Sequence, residues 1–122
     1  MIKPSDDKLV RAVLAGQRED YEKLYDRYAA LVRAICYDAT RNLAEAQDLA
    51  QDVFLRAYEK LEQLRNPARF GKWLITIARL RGREWLRQKR RNEKRFAQVG
   101  AAQSDIDDPP DVLQGVERGP QN

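Results

Sequence analysis

Lys72, Thr76, Arg79, Arg83, Arg87 and Arg90 recur at spacings of three and four, the interval that brings side chains onto one face of an α-helix. On a rod rising 1.5 Å per residue, successive members of such a row lie about 4.5 to 6 Å apart, which from Arg79 onward suits a strand of phosphates. The wider charge distribution points the same way. From Arg65 to Arg95 there are 12 Lys and Arg against 2 Glu, whereas the rest of the chain has 11 basic and 17 acidic residues. A net charge of +4 therefore conceals a basic block on an otherwise acidic protein. The bland reading is a solvated face with cations favourably placed near a helix C-terminus. Twelve cations exceed what that needs, and the block suggests a polyanion partner: nucleic acid first, with anionic lipid satisfying the same charge.

A second locus lies in "QDLAQDVFLRAY", residues 47–58. Read as a helix, it places Leu49, Ala50, Val53, Phe54, Ala57 and Tyr58 on one apolar face and Asp48, Gln51, Asp52 and Glu59 on the other. Leu55 falls among the polar side chains. A lone exposed leucine needs no explanation by itself, but an apolar centre ringed by acids and amides has the anatomy of a protein interface.

Other chemistries are excluded by what the sequence lacks. Histidine is absent, which removes imidazole bases and His-containing metal sites. No phosphate-binding glycine motif and no Cys-x-x-Cys is present, so neither an enzyme nor a cofactor is expected. The single cysteine, Cys36, lies on the apolar face of its helix and reads as a buried thiol. No apolar run reaches a membrane span, and "MIKPSDDK" lacks the apolar stretch of a signal peptide, so the expected location is the cytoplasm.

The elements that must position these loci are all helical. The 122 residues suit one core. Ser5 or Asp6 caps a first short helix with Leu9, Val10, Val13 and Leu14 inward, ended by Gly16. A second helix, about Arg18 to Ala39, carries the stripe Tyr21, Leu24, Tyr25, Tyr28, Leu31, Val32, Ile35 and Cys36. With Asn42 as N-cap, a third runs from about Leu43 to Leu64. Pro67 breaks it and opens a fourth, from about Pro67 to Arg91 or further. Phe70, Trp73, Leu74, Ile77, Ala78 and Trp85 form its apolar face; Arg81 falls inward, explained only by snorkelling toward the helix end. From Gly100 onward the chain is rich in Asp, Pro, Gly and Gln and reads as a linker. The expectation is an all-α, four-helix domain over residues 1–95, with a flexible tail over residues 96–122.

"DLAQDVFLRAYEKLEQLRNPARFGKWLITIARLRGREWLRQKRR" resembles region 2 of a bacterial sigma factor of the extracytoplasmic-function type, a branch of the sigma-70 family. The family pattern is approximately D-L-x-Q-[DE]-x-F-[LI]-[RK]-x-[YFW], a short loop, then F-x-x-W-L-x-x-I-A-R and a basic helix end. Asp48, Leu49, Gln51, Asp52, Phe54, Leu55, Arg56, Tyr58, Phe70, Trp73, Leu74, Ile77, Ala78 and Arg79 match it, and the likeness covers about Leu9 to Arg91. It implies a transcription initiation factor whose third helix docks on the β′ clamp helices of RNA polymerase, with Leu55 at the centre and Asp48, Gln51, Asp52 and Arg56 as polar contacts.

The resemblance also implies that the loop Arg65, Asn66, Pro67, Ala68, Arg69 and Phe70 takes a flipped base of the non-template strand of the promoter −10 element. Lys72, Arg79, Arg83, Arg87 and Arg90 would follow its backbone. By periodicity Phe70 and Trp73 are more core than stacking residues, so Asn66 and Arg69 are the better base readers. An anti-sigma factor is a further partner the family allows.

Two departures stand out. Leu80 occupies a position where the family commonly has Asn after I-A-R, and the chain stops where region 4, the −35-reading domain, would begin. "DPPDVLQGVER" resembles the entry to that domain, and an excised fragment is the favoured explanation over a naturally shortened factor. Two rival readings remain: a helical protein-interaction module whose basic end tethers it to nucleic acid or a membrane, and a stand-alone helix-turn-helix regulator, for which the third and fourth helices are long.

Overall fold

Ser5 opens the first helix as expected: its Oγ accepts the Lys8 N–H at 3.1 Å, and α1 spans Asp6–Leu14. A computed structural model describes residues 2–102. Within them α2 is Asp20–Thr40, α3 is Leu43–Glu59 and α4 is Phe70–Ala102, and no strand occurs among the described residues. The all-α, four-helix expectation holds. The tail expected over residues 96–122 departs from the expectation at its start, since α4 continues through residues 96–102; the rest, with the "DPPDVLQGVER" segment, lies outside the described residues. No described helix is long and apolar enough to cross a membrane.

The chain divides into two units, Met1–Gly82 and Arg83–Asn122. In the first, α2 packs along α3 and against α1. Tyr21 donates its hydroxyl to the Phe54 carbonyl at 2.6 Å, and Tyr25 tilts against the Phe54 ring at 4.5 Å between centroids. Burial and the neighbouring Tyr58 push the Tyr21 hydroxyl well above its ordinary value, so it remains a donor. Leu24, Val32, Cys36, Val53, Ala57, Phe70, Leu74 and Ala78 close the core. Gly82 comes near Ala39, where an added Cβ would lie 3.2 Å from the alanine methyl.

Asn42 caps α3 as read from sequence, its Oδ1 accepting the Glu45 N–H at 2.9 Å. Three expectations need correction. Leu14 is 47% and Leu31 45% exposed; the inward face of a helix is core only where another element covers it, and α1 ends at Leu14. The third helix stops at Glu59 rather than near Leu64, replaced by a 3₁₀ turn over Leu61–Gln63 that buries Leu61. Pro67 begins a second 3₁₀ turn, Pro67–Arg69, and α4 proper starts at Phe70.

In the second unit α4 continues to Ala102, past Arg91. Local pairs on its surface include the Lys89 ammonium 5.4 Å from the Trp85 ring centroid and Gln88 donating to Asn92 Oδ1 at 3.1 Å.

Candidate functional site

The loop between α3 and α4 is held in place from behind. Asp6, at the start of α1, bonds Arg27 Nη1 at 2.6 Å and accepts the Tyr28 hydroxyl. Burial and that carboxylate push the Tyr28 hydroxyl up to about 12. The Tyr28 ring tilts on Phe70 at 5.8 Å and lies so close to Gly71 that a Cβ there would sit 2.6 Å from the phenol oxygen. α1 also packs against the Pro67–Arg69 turn. The first turn of α4 is thereby wedged between a ring and a helix.

On the outer side of this wedge is an open pocket of about 610 Å³ lined by Leu64, Arg65, Asn66, Arg69, Lys72, Trp73, Ile75, Thr76 and Arg79. No acidic residue is among them. Arg65, Asn66, Arg69, Lys72, Thr76 and Arg79 are exposed, whereas Trp73 and Ile75 are half-buried, so the rim is cationic and the floor apolar. Asn66 has extended backbone, φ −120° and ψ 102°, and its Oδ1 accepts the Ala68 N–H at 3.1 Å. Thr76 turns its hydroxyl inward, donating to the Lys72 carbonyl at 3.0 Å.

The structure therefore gathers Asn66, Arg69, Lys72 and Arg79 at one pocket. Ala68 is exposed in the loop but does not line it. Phe70 is a correction: named as a DNA contact, it is 0% exposed and packs on Tyr28 and Trp73, so its ring positions the loop and offers no face to a ligand. Trp73, read as more core than stacking, is half-buried and lines the pocket. Arg65, named with the capture loop, also lines the pocket, whereas Leu64 and Ile75 are lining residues that the sequence did not point to. Arg83, Arg87 and Arg90 belong to the second unit, where all three are exposed. Leu80, in the first, is 47% exposed.

The second candidate surface is on α3. Leu55 is 56% exposed, with Asp48, Gln51 and Glu59 exposed on the same helix. Asp52 and Arg56 are half-buried, and Asp52 Oδ2 accepts from two guanidinium groups, Arg56 Nε at 3.0 Å and Arg81 Nε at 2.8 Å. Arg81, without an evident partner in the sequence, thus ties α4 to α3. Cys36 lies close by, fully buried; burial pushes its thiol up to about 12, Asp52 adding to the rise and Arg81 opposing it.

The family model for sigma-70 region 2 matches residues 24–92, more than half of the chain. The chain belongs to the sigma-70 region 2 family. The match contains α3, the pocket and the Asp52–Arg81 pair, and begins after α1. Among relatives of this region 2 chain are a probable RNA polymerase sigma factor RfaY of Xanthomonas campestris, 41% identical over 62% of the chain and 19% of the relative. The ECF RNA polymerase sigma factor BldN of Streptomyces coelicolor is 37% identical over 59% of the chain and 28% of its own length. The ECF RNA polymerase sigma factor SigW of Bacillus subtilis is 31% identical over 58% and 38%. The chain thus matches well under half the length of these relatives. No solved structure matches it significantly.

Proposed function

We propose that this chain is the part of a transcription initiation factor that binds RNA polymerase through α3 and captures an unpaired promoter strand at the pocket beside α4. The observation that carries this reading is the pocket itself: a cationic rim without a single carboxylate, an apolar floor and a polar loop residue at its mouth suit a phosphate-linked base. Arg65, Arg69, Lys72 and Arg79 attract the backbone, the Trp73 and Ile75 wall receives the base face, and Asn66 reads its edge. Arg83, Arg87 and Arg90 add charge for further phosphates.

Energetics assign a role to the polymerase. Extracting a base from a duplex costs a few kcal/mol, whereas holding it by stacking is worth about 1–3 kcal/mol. The domain alone melts duplex poorly, and the difference comes from backbone charge and from a partner that holds DNA and domain together. Leu55, exposed and bordered by Asp48 and Gln51, is the centre of the surface for that partner, the β′ clamp helices, whose complementary face would be basic around an apolar socket. Asp52 and Arg56 sit at the edge of this surface while bonded to each other. An anti-sigma factor covering either surface would silence the protein, and the work of initiation belongs to the cytoplasm.

Fluorescence anisotropy with single-stranded oligonucleotides tests the capture half. A −10-like sequence is expected to bind more tightly than its scramble at fixed salt, with affinity falling by about 0.7 log units per log unit of salt for each phosphate neutralised. Equal binding of all sequences would leave a basic tether, the rival reading. For the docking half, Leu55→Glu is expected to abolish a pull-down with the clamp helices at unchanged circular dichroism.

A further inference from the structure

We propose that the acidic stretch at residues 105–111 lies along the basic row of α4 and must be displaced before a nucleic-acid strand can bind there. The inference rests on the strand-binding reading of those cations and adds to it a regulator carried by the chain itself.

The row belongs to the second unit alone. Arg83, Arg87, Arg90 and Lys94 follow one another at spacings of four, three and four, which keeps them within about 60° on one side of the helix. All four are exposed, and along about 16.5 Å of axis none pairs with a carboxylate of the described residues. The two glutamates of this stretch do not interrupt the row. Glu93 lies 3.9 Å from the Lys89 ammonium, and Glu84 projects about 100° round the helix from Arg83. Lys89 is itself drawn to the Trp85 ring, on the far side. What remains is a line of four cations whose mutual repulsion an anion relieves.

The same unit, residues 83–122, supplies an anion. Residues 96–117 hold five acidic residues and no Lys or Arg, and four of the acids, Asp105, Asp107, Asp108 and Asp111, fall within seven positions. α4 ends at Ala102, so the first aspartate follows it by three residues. Pro109 and Pro110 interrupt the stretch. Their fixed φ and missing N–H, with the restriction on Asp108 before them, favour extended chain over another turn of helix. At about 3.1 Å per residue, Asp105 and Asp111 stand about 19 Å apart, close to the length of the row. The nine steps from Ala102 to Asp111 reach about 28 Å, and Arg87 is about 22 Å back along the helix. A chain doubling back at the end of α4 therefore sets its aspartates beside Lys94, Arg90 and Arg87. Each exposed ion pair is weak, but the short tether gives the segment an effective concentration in the millimolar range. A contact too weak for separate molecules is sustained within one chain.

The test combines Asp105→Asn, Asp107→Asn, Asp108→Asn and Asp111→Asn in the full chain, which removes the charge and keeps the length. By anisotropy the variant is expected to bind labelled oligothymidine about three- to tenfold more tightly than the unsubstituted chain at low salt, the worth of a few exposed ion pairs. The advantage is expected to shrink as salt rises, because salt weakens the hold of the segment too. A spin label attached at Val112→Cys reports position, Cys36 being buried. It is expected to broaden the amide resonances of Arg87, Arg90 and Lys94, and saturating oligothymidine is expected to restore them. Equal affinity of the two chains, broadening that bypasses this row, or broadening that survives saturation with the strand would each overturn the proposal while leaving strand capture intact. Oligothymidine that binds neither chain would overturn strand binding along with the displacement.

Discussion

Asp52 is the residue where the proposed docking role and a structural role meet, and replacing it measures the second. Its carboxylate retains 32% side-chain exposure, against 16% for Arg81 and 25% for Arg56. Removing one partner of a fully buried ion pair costs about 3–5 kcal/mol; partial exposure and water reduce that here, so Asp52→Ala is expected to cost about 2–3 kcal/mol. Arg81→Met keeps the packed stem and removes the charge. A double-mutant cycle between the two, read by urea unfolding followed at 222 nm, is expected to give a coupling of about 1–2 kcal/mol. The Asp52–Arg56 cycle should give about 0.3–0.5 kcal/mol, as for an i,i+4 pair on one helix. An Asp52–Arg81 coupling below about 0.5 kcal/mol, or a larger coupling to Arg56, would refute the view that this carboxylate anchors α4. Loss of polymerase binding in an Asp52 variant therefore reports on fold and contact together, and Leu55→Glu is the cleaner probe.

Gly71→Ala is expected to lower stability by about 1–3 kcal/mol, the usual cost of overpacking. The new methyl would lie 2.6 Å from a Tyr28 oxygen already tied to Asp6, and a thermal melt measures the loss. Asn42→Ala is expected to cost about 1 kcal/mol through the lost cap, with faster amide exchange at Glu45. Cys36 is expected to resist a thiol reagent at neutral pH until the protein unfolds. Because its thiol and the Tyr28 hydroxyl bind their protons more tightly when folded, the stabilisation is complete below their unfolded values. It declines as pH rises from about 9 toward about 12, and alkaline melts followed by circular dichroism check that sign.

Helix existence and faces were legible because the apolar residues repeat so regularly. Leu24, Val32 and Cys36 are buried as their spacing requires, Asn42 caps α3, and Leu55 is exposed where the helical wheel places it. Burial was less legible. Leu31 shares the angle of its buried neighbours but lacks cover, because periodicity gives direction and says nothing of what stands opposite. The partner of Arg81 was hidden for a related reason: Asp52 is 29 residues away, and no local pattern relates them. At the pocket, the cations and Asn66 were visible as loop and stripe residues. Trp73 was weighted toward the core because a wheel has two sides, whereas a residue at the boundary belongs to both.

The hydrogen bonds of Asp6 reach further than their position suggests. This aspartate lies ahead of residues 24–92, yet through Tyr28 it braces the turn on which the pocket opens. Trimming the protein to its family-matched stretch would discard a buttress, and a fragment so cut would keep its arginines while losing the surface that aims them.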